Sequence, residues 1–112
     1  MVTKKYIPEQ GDIVWVDFNP TKGHEQQCKR PAIILSRKEY NKATGLAVVC
    51  PVTSQVKGYP FEVVVNTEKI QGAILADQVR SIDWKDRKVS FIIKCNTPLL
   101  GEVKEKLATL IR

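Results

Sequence analysis

A chain of 112 residues with 43% hydrophobic and 27% charged content holds one modest core and is too apolar for a disordered tail, so one domain over 1–112 is expected. No apolar run approaches the roughly 20 residues that cross a bilayer. The opening MVTKKYIPEQ has lysines but no apolar block behind them, so no signal peptide is expected and a cytoplasmic protein is the default. A net charge of +6 and a pI near 9.3 favour a polyanionic partner, but the cations are scattered, so folding must assemble any binding surface.

In chain order, Asp12–Phe18 and Arg30–Ser36 are apolar strand-like runs flanking a polar loop too long for a tight hairpin. That loop gathers Lys22, Gly23, His24, Glu25, Gln26, Gln27, Cys28 and Lys29, and Arg30 opens the second run. Loops on a rigid sheet are where binding and catalytic groups concentrate. Leu46–Thr53 and Phe61–Val65 read as further strands, with NKATG (Asn41–Gly45) and VKGYP (Val56–Pro60) as turns around glycine. Ala73–Ala76, Val79–Ile82 and Lys88–Lys94 add short strands, which together suggest a small, strongly bent antiparallel sheet or barrel.

The period changes in TPLLGEVKEKLATLIR, where Leu99, Leu100, Val103, Leu107, Leu110 and Ile111 recur at helical steps. Thr97 is the expected N-cap with Pro98 in the first turn. Gly101 costs about 1 kcal/mol against alanine, which a close approach of helix to sheet would explain. The expected architecture is a β-barrel with an amphipathic C-terminal helix.

The inventory restricts the chemistry. One histidine rules out a two-histidine acid–base pair within one chain. Cys28, Cys50 and Cys95 are widely spaced without a CxxC pair, so no disulfide framework or zinc site is indicated; Cys50 and Cys95 sit in apolar runs and read as core. Asp12 and Asp17 flank opposite ends of one strand, and Asp83 and Asp86 lie in a turn, so no metal site or other cofactor site is called.

RNA cleavage by its own 2′-hydroxyl fits these limits, because the substrate brings its nucleophile. Arg30 has the planar fork that matches phosphate oxygens; with a pKa above about 12 it stabilises charge rather than donating a proton. Glu25 is a candidate acceptor for the 2′-hydroxyl proton, although its reference pKa of about 4.3 makes it a weak base without burial. Thr53 closes a strand and offers a hydroxyl to a non-bridging oxygen. Each also has an ordinary reading: Glu25 and His24 as solvated loop groups, Arg30, Lys22 and Lys29 as surface cations, Thr53 as a strand former. Trp15, Trp84, Tyr59 and Phe61 fit a core or an interface better than base-stacking platforms. The residues alone lead to a basic β-barrel with a polar loop.

GDIVWVDFNPTKGHEQQCKRPAIILS (Gly11–Ser36), PVTSQVKGYPFEV (Pro51–Val63) and GAILADQVRSIDW (Gly72–Trp84) together resemble the MazF/PemK/Kid family of toxin endoribonucleases, nearest its bacterial chromosomal MazF branch. The likeness spans nearly the whole chain in order and spacing, which no single short motif would do. It implies an SH3-like barrel with a C-terminal helix, of the type shared by the CcdB, Kid and MazF toxins, in a homodimer. It implies metal-independent cutting of single-stranded mRNA at short sequences, leaving 2′,3′-cyclic phosphate and 5′-hydroxyl ends. The family's active-site arginine falls on Arg30, its threonine on Thr53 and the glutamate of its first loop on Glu25. Ser54, Gln55 and Lys57 match a loop bordering the RNA groove, with Lys22 and Lys29 on the other loop. Asp77, Gln78 and Arg80 occupy a segment that carries the acid–base pair in the plasmid-borne branch, so Asp77 competes with Glu25. Where chromosomal relatives carry a histidine just before the arginine this chain has Lys29, and a histidine appears at His24 instead, so a proton-transfer role for that imidazole has either moved to His24 or lapsed.

The same resemblance implies a MazE-like antitoxin whose flexible acidic tail covers the RNA groove, in keeping with a chain of +6 charge. Two rivals differ in class. CcdB gyrase poisons resemble this fold but act through a tryptophan-glycine-isoleucine helix end, whereas this helix ends Thr109-Leu110-Ile111-Arg112. The other rival is a non-catalytic SH3-like RNA- or protein-binding module.

Overall fold

The computed structural model describes residues 5–18 and 29–112. The strands are β1 (Asp12–Asp17), β2 (Lys29–Ile34), β3 (Leu46–Thr53), β4 (Glu62–Asn66), β5 (Gln71–Leu75), β6 (Arg80–Asp83) and β7 (Ser90–Lys94), with helices α1 (Lys38–Thr44) and α2 (Thr97–Ile111). All pairings are antiparallel, and the path across the sheet runs β4-β5-β3-β2-β1-β7. The remaining edge of β3 is divided, with β6 on Leu46–Val49 and β5 on Val52–Thr53. One strand thus anchors three others, and the sheet curls into a half-barrel.

Both faces of the sheet are covered, which is why its central strands read as continuous apolar runs. On one face Ile13, Ile33, Cys50, Val52, Val63, Val65 and Ile74 form a core that α2 closes with Val103, Leu99, Leu100 and Leu107. Val103 is fully buried, which for a valine is worth about 1.5–3 kcal/mol. The alternate residues Val14, Val16, Ala32, Ile34, Ala47 and Val49 form a second core, covered by Ile82, Trp84, Tyr6, Ile7 and Phe18. The core reading of Cys50, Cys95 and Trp84 holds, while Trp15 is 38% exposed. Burial pushes the Cys50 thiol up to about 12 and also raises Cys95, so neither thiol is reactive at neutral pH.

Three local expectations are corrected. Asn41–Gly45 is not a free turn: Asn41–Thr44 belong to α1, and Gly45 caps its C-terminus at φ +74 with its N–H donating to the Asn41 carbonyl. The helix is held by polar contacts, since the buried Asn41 amide donates to the Pro8 carbonyl at 2.8 Å and its backbone carbonyl accepts the Trp84 indole N–H at 2.9 Å. The α2 cap is Asn96, whose side-chain oxygen accepts the Leu99 N–H at 2.8 Å, one residue before Thr97. Gly101 makes no close approach, because a Cβ there would meet open space.

The N-terminal segment is fastened through Asp12, almost fully buried at the start of β1. Its carboxylate accepts from the Tyr6 hydroxyl, from the Glu9 N–H at 3.0 Å and from Lys94 Nζ at 2.7 Å. Lys94 also bonds Glu9 at 3.0 Å. Burial opposes the Lys94 charge, but these two carboxylates outweigh it and hold the ammonium above the ordinary lysine range. The Tyr6 phenol is pushed far up by burial and by its bond to the Asp12 carboxylate.

Candidate active site

The site lies where β2 begins and β3 ends. Their register pairs Ala32 with Pro51, Ile33 with Cys50 and Ile34 with Val49. Continued by two residues, it sets Arg30 opposite Thr53 on one face of the sheet, because side chains alternate with period two. Both line one open cleft of about 690 Å³, with Pro31, Val52, Ser54, Gln55, Lys69, Ile70 and Gln71. Among the described residues the lining contains two cations and no carboxylate.

Thr53 is fixed from both sides. Its backbone pairs with Ala73 of β5, and its hydroxyl oxygen accepts the Gln55 N–H at 3.1 Å. That bond uses a lone pair and leaves the hydroxyl proton available to an anionic oxygen. Gly72 makes the arrangement possible: a Cβ there would stand 2.1 Å from the Thr53 carbonyl oxygen and 3.0 Å from its carbon. A glycine inside a strand often marks such an approach of two backbones. The sequence therefore carried a signal for Gly72 that chemistry-bearing residue types did not.

The loop after Thr53 is held by Glu62, whose carboxylate accepts the N–H of Lys57 at 3.1 Å and of Gly58 at 2.7 Å. From α2, Lys106 Nζ donates to the Pro60 carbonyl at 2.7 Å. Ser54, Gln55 and Lys57 thus sit on a tethered loop, with Ser54 and Gln55 in the cleft. Asp77 is exposed and accepts the Tyr59 hydroxyl at 3.0 Å; neither it nor Gln78 lines the cleft with Arg30 and Thr53. Burial and the Asp77 carboxylate both raise the Tyr59 phenol, so it keeps its proton.

Arg80 lies over the Phe18 ring at 5.2 Å from its centre, and Arg87 donates to the Phe18 carbonyl at 2.6 Å. Lys29 pairs across the strands with the buried Asp17. These contacts fasten the described ends of the first loop. Lys22, His24, Glu25 and Cys28 lie outside the described residues. Among the described residues no three His, Cys, Asp or Glu side chains gather as metal ligands.

A family model of PemK-like, MazF-like toxins of type II toxin–antitoxin systems matches residues 9–111. The chain belongs to this toxin family. It is 51% identical over 86 residues to the endoribonuclease toxin MazF of Escherichia coli, covering 77% of this chain and 78% of that one. With the Escherichia coli endoribonuclease PemK it shares 33% identity over 116 residues, covering 99% and 87%. Among solved structures, MazF of Deinococcus radiodurans superposes with a TM-score of 0.85 at 44% identity, covering 96% of this chain and 98% of that chain. A MazE–MazF complex from the same organism gives 0.85 at 40% identity, covering 96% and 97%.

This MazF-type toxin is an endoribonuclease with the mainly β half-barrel and C-terminal helix of its relatives. Lys69, Gln71 and Gly72 are the cleft and strand-contact residues that sequence reasoning passed over. For Lys69 no sequence signal existed, since one lysine in a polar turn resembles any other.

Proposed function

We propose that this toxin cuts single-stranded mRNA in the cytoplasm, at short sequences and without ribosome or metal, through attack of a ribose 2′-hydroxyl on the adjacent phosphodiester. The 2′-oxygen bonds to phosphorus and the bond to the 5′-oxygen breaks. The 2′-proton passes to a base and the leaving 5′-oxygen takes up a proton, giving cyclic-phosphate and 5′-hydroxyl ends. The observation that carries this reading is that Arg30 and Thr53 line one cleft.

In this reading the Arg30 guanidinium grips two non-bridging oxygens and stabilises the extra charge of the phosphorane. Thr53 donates its hydroxyl to one of them, its oxygen held by the Gln55 amide. Glu25 is the base, with His24 and Asp77 as the competing candidates. Ser54, Gln55, Lys57, Gln78 and Arg80, with Lys22 and Lys29 of the first loop, contact flanking nucleotides. Two copies form the working unit. The apolar groove of Leu35, Val48, Leu107, Ala108 and Ile111 and the exposed Leu110 support a protein-covered face there. A MazE-like antitoxin with an acidic segment then neutralises the cationic groove, in keeping with the antitoxin complexes among its structural relatives.

The test incubates purified protein with a long transcript in EDTA and maps the new ends. Cyclic-phosphate ends at recurring short sequences support the reading. A magnesium requirement, or intact RNA with stalled gyrase, rejects it.

A further inference from the structure

We propose that Lys69, on the turn between β4 and β5, is a second phosphate contact of the cleft, holding a linkage next to the one that is cut. The inference rests on the ribonuclease reading above and adds a wall to its site. The turn is built to hold a fixed shape. Thr67 Oγ1 accepts the N–H of Lys69 at 3.2 Å and of Ile70 at 2.9 Å, and the Thr67 N–H donates to the Ile70 carbonyl at 2.8 Å. Gln71 closes it by donating its side-chain amide to the Thr67 carbonyl. Ile70 is buried in the main core and pins the turn to the sheet.

Immediately after this turn comes Gly72, packed against the Thr53 carbonyl. The turn is therefore mounted on the same backbone that positions Thr53, and Lys69 and Arg30 line one cleft. Among its described residues that lining carries two cations and no carboxylate, which fits a chain of phosphates rather than a neutral ligand. The two cations are suited to different tasks. The arginine fork matches a phosphate that changes geometry, whereas a lysine is a mobile point charge that binds ground state and transition state alike. Lys69 accordingly positions the strand and contributes to affinity, not to the chemical step.

The experiment measures cutting of a short RNA with one mapped site across a salt series. Lys69→Gln is expected to raise KM about tenfold with kcat within about twofold. The slope of log kcat/KM against log salt should become shallower by about 0.7, the increment for one phosphate on a single strand. Lys69→Arg restores both. Lys42→Gln, which removes an equal charge from the far end of β3 on α1, leaves the slope as in wild type. A single methylphosphonate beside the cut site completes the cycle: it raises KM for the wild type and adds nothing in Lys69→Gln. Unchanged KM and slope in Lys69→Gln, while the wild type cuts normally, overturn this assignment and leave the ribonuclease reading standing. A wild type that leaves the RNA intact overturns both.

Discussion

Gly72→Ala is the sharpest test of how the sheet sets up the site. The new Cβ would stand 2.1 Å from the Thr53 carbonyl oxygen, where ordinary contact begins near 3.4 Å. The obstacle is backbone, so no side-chain rotation relieves it, and the φ of +154 at Gly72 adds strain of its own. β5 and β3 must part by more than an ångström at this point. They are joined there by the pairs Val52–Ile74 and Thr53–Ala73, so the movement falls directly on Thr53. Overpacking of this kind costs about 1–3 kcal/mol, and a misplacement of about 1 Å in a reacting site costs roughly 100-fold in rate. Cleavage of a fluorogenic RNA well below the melting temperature should therefore fall about 100-fold, with only a moderate loss of thermal stability. Two controls separate positioning from general weakening. Gly45→Ala meets open space at φ +74 and should cost stability by about 1–2 kcal/mol without slowing cleavage. In the double variant Thr53→Ala/Gly72→Ala, the rate loss should not exceed that of Thr53→Ala alone by more than a few-fold. A folded Gly72→Ala protein that cuts within threefold of wild type would refute the reasoning.

Arg30→Ala should lower turnover at least about 100-fold while the protein stays folded, and Arg30→Lys should recover little of it, because an ammonium lacks the planar fork; near-normal cleavage by a folded Arg30→Ala would remove the arginine from the chemistry. Stability should also depend on pH at the alkaline end. Tyr6 and Lys94 both hold their protons more tightly folded than unfolded, so above pH about 10 the native state binds more protons. Their stabilisation is complete below that pH and is lost as the pH rises further. Urea midpoints should fall as the pH is raised from about 10 to about 11.5, less steeply in Tyr6→Phe; equal slopes for the two proteins would disconnect the phenol from stability.

The parts of the fold legible in the sequence are those written as apolar runs. β1, β2 and β3 were visible because both faces are buried and the runs are long, and α2 because its buried stripe repeats at three and four residues. α1 escaped because its one fully buried residue is Asn41, anchored by hydrogen bonds to Pro8 and Trp84 that no hydrophobic period records. The α2 cap fell one residue early because Asn96 and Thr97 are both good capping types. Gly101 drew attention as a costly helix residue, whereas the glycine with a steric task was Gly72 in β5. Arg30 and Thr53 stood out as residue types, but their proximity depends on the β2–β3 register, which one strand at a time does not reveal. Glu62 read as an ordinary strand residue, since its work is to accept amides from a loop that precedes it.

The register also explains why the charge is unevenly distributed. Because β1 and β2 are antiparallel, Asp12 and Arg30 stand at opposite ends of the hairpin. At the Asp12 end the acids Glu9 and Asp12 are matched with Lys38 and Lys94. At the other end the cleft presents Arg30 and Lys69 with no acid among its described lining residues. Two cations thus stand where strand ends leave the backbone open and loops meet. A polyanion is drawn to that end by long-range attraction, before any base is read. On the proposed reading, base selectivity comes from groups that differ in hydrogen bonding, and the tethered loop after Thr53 offers Ser54 and Gln55 in the same cleft as Arg30 and Thr53. On that reading attraction and selection are separable in one cleft: changing Lys69 should alter affinity for every RNA alike, while changing Ser54 or Gln55 should alter which RNA is cut.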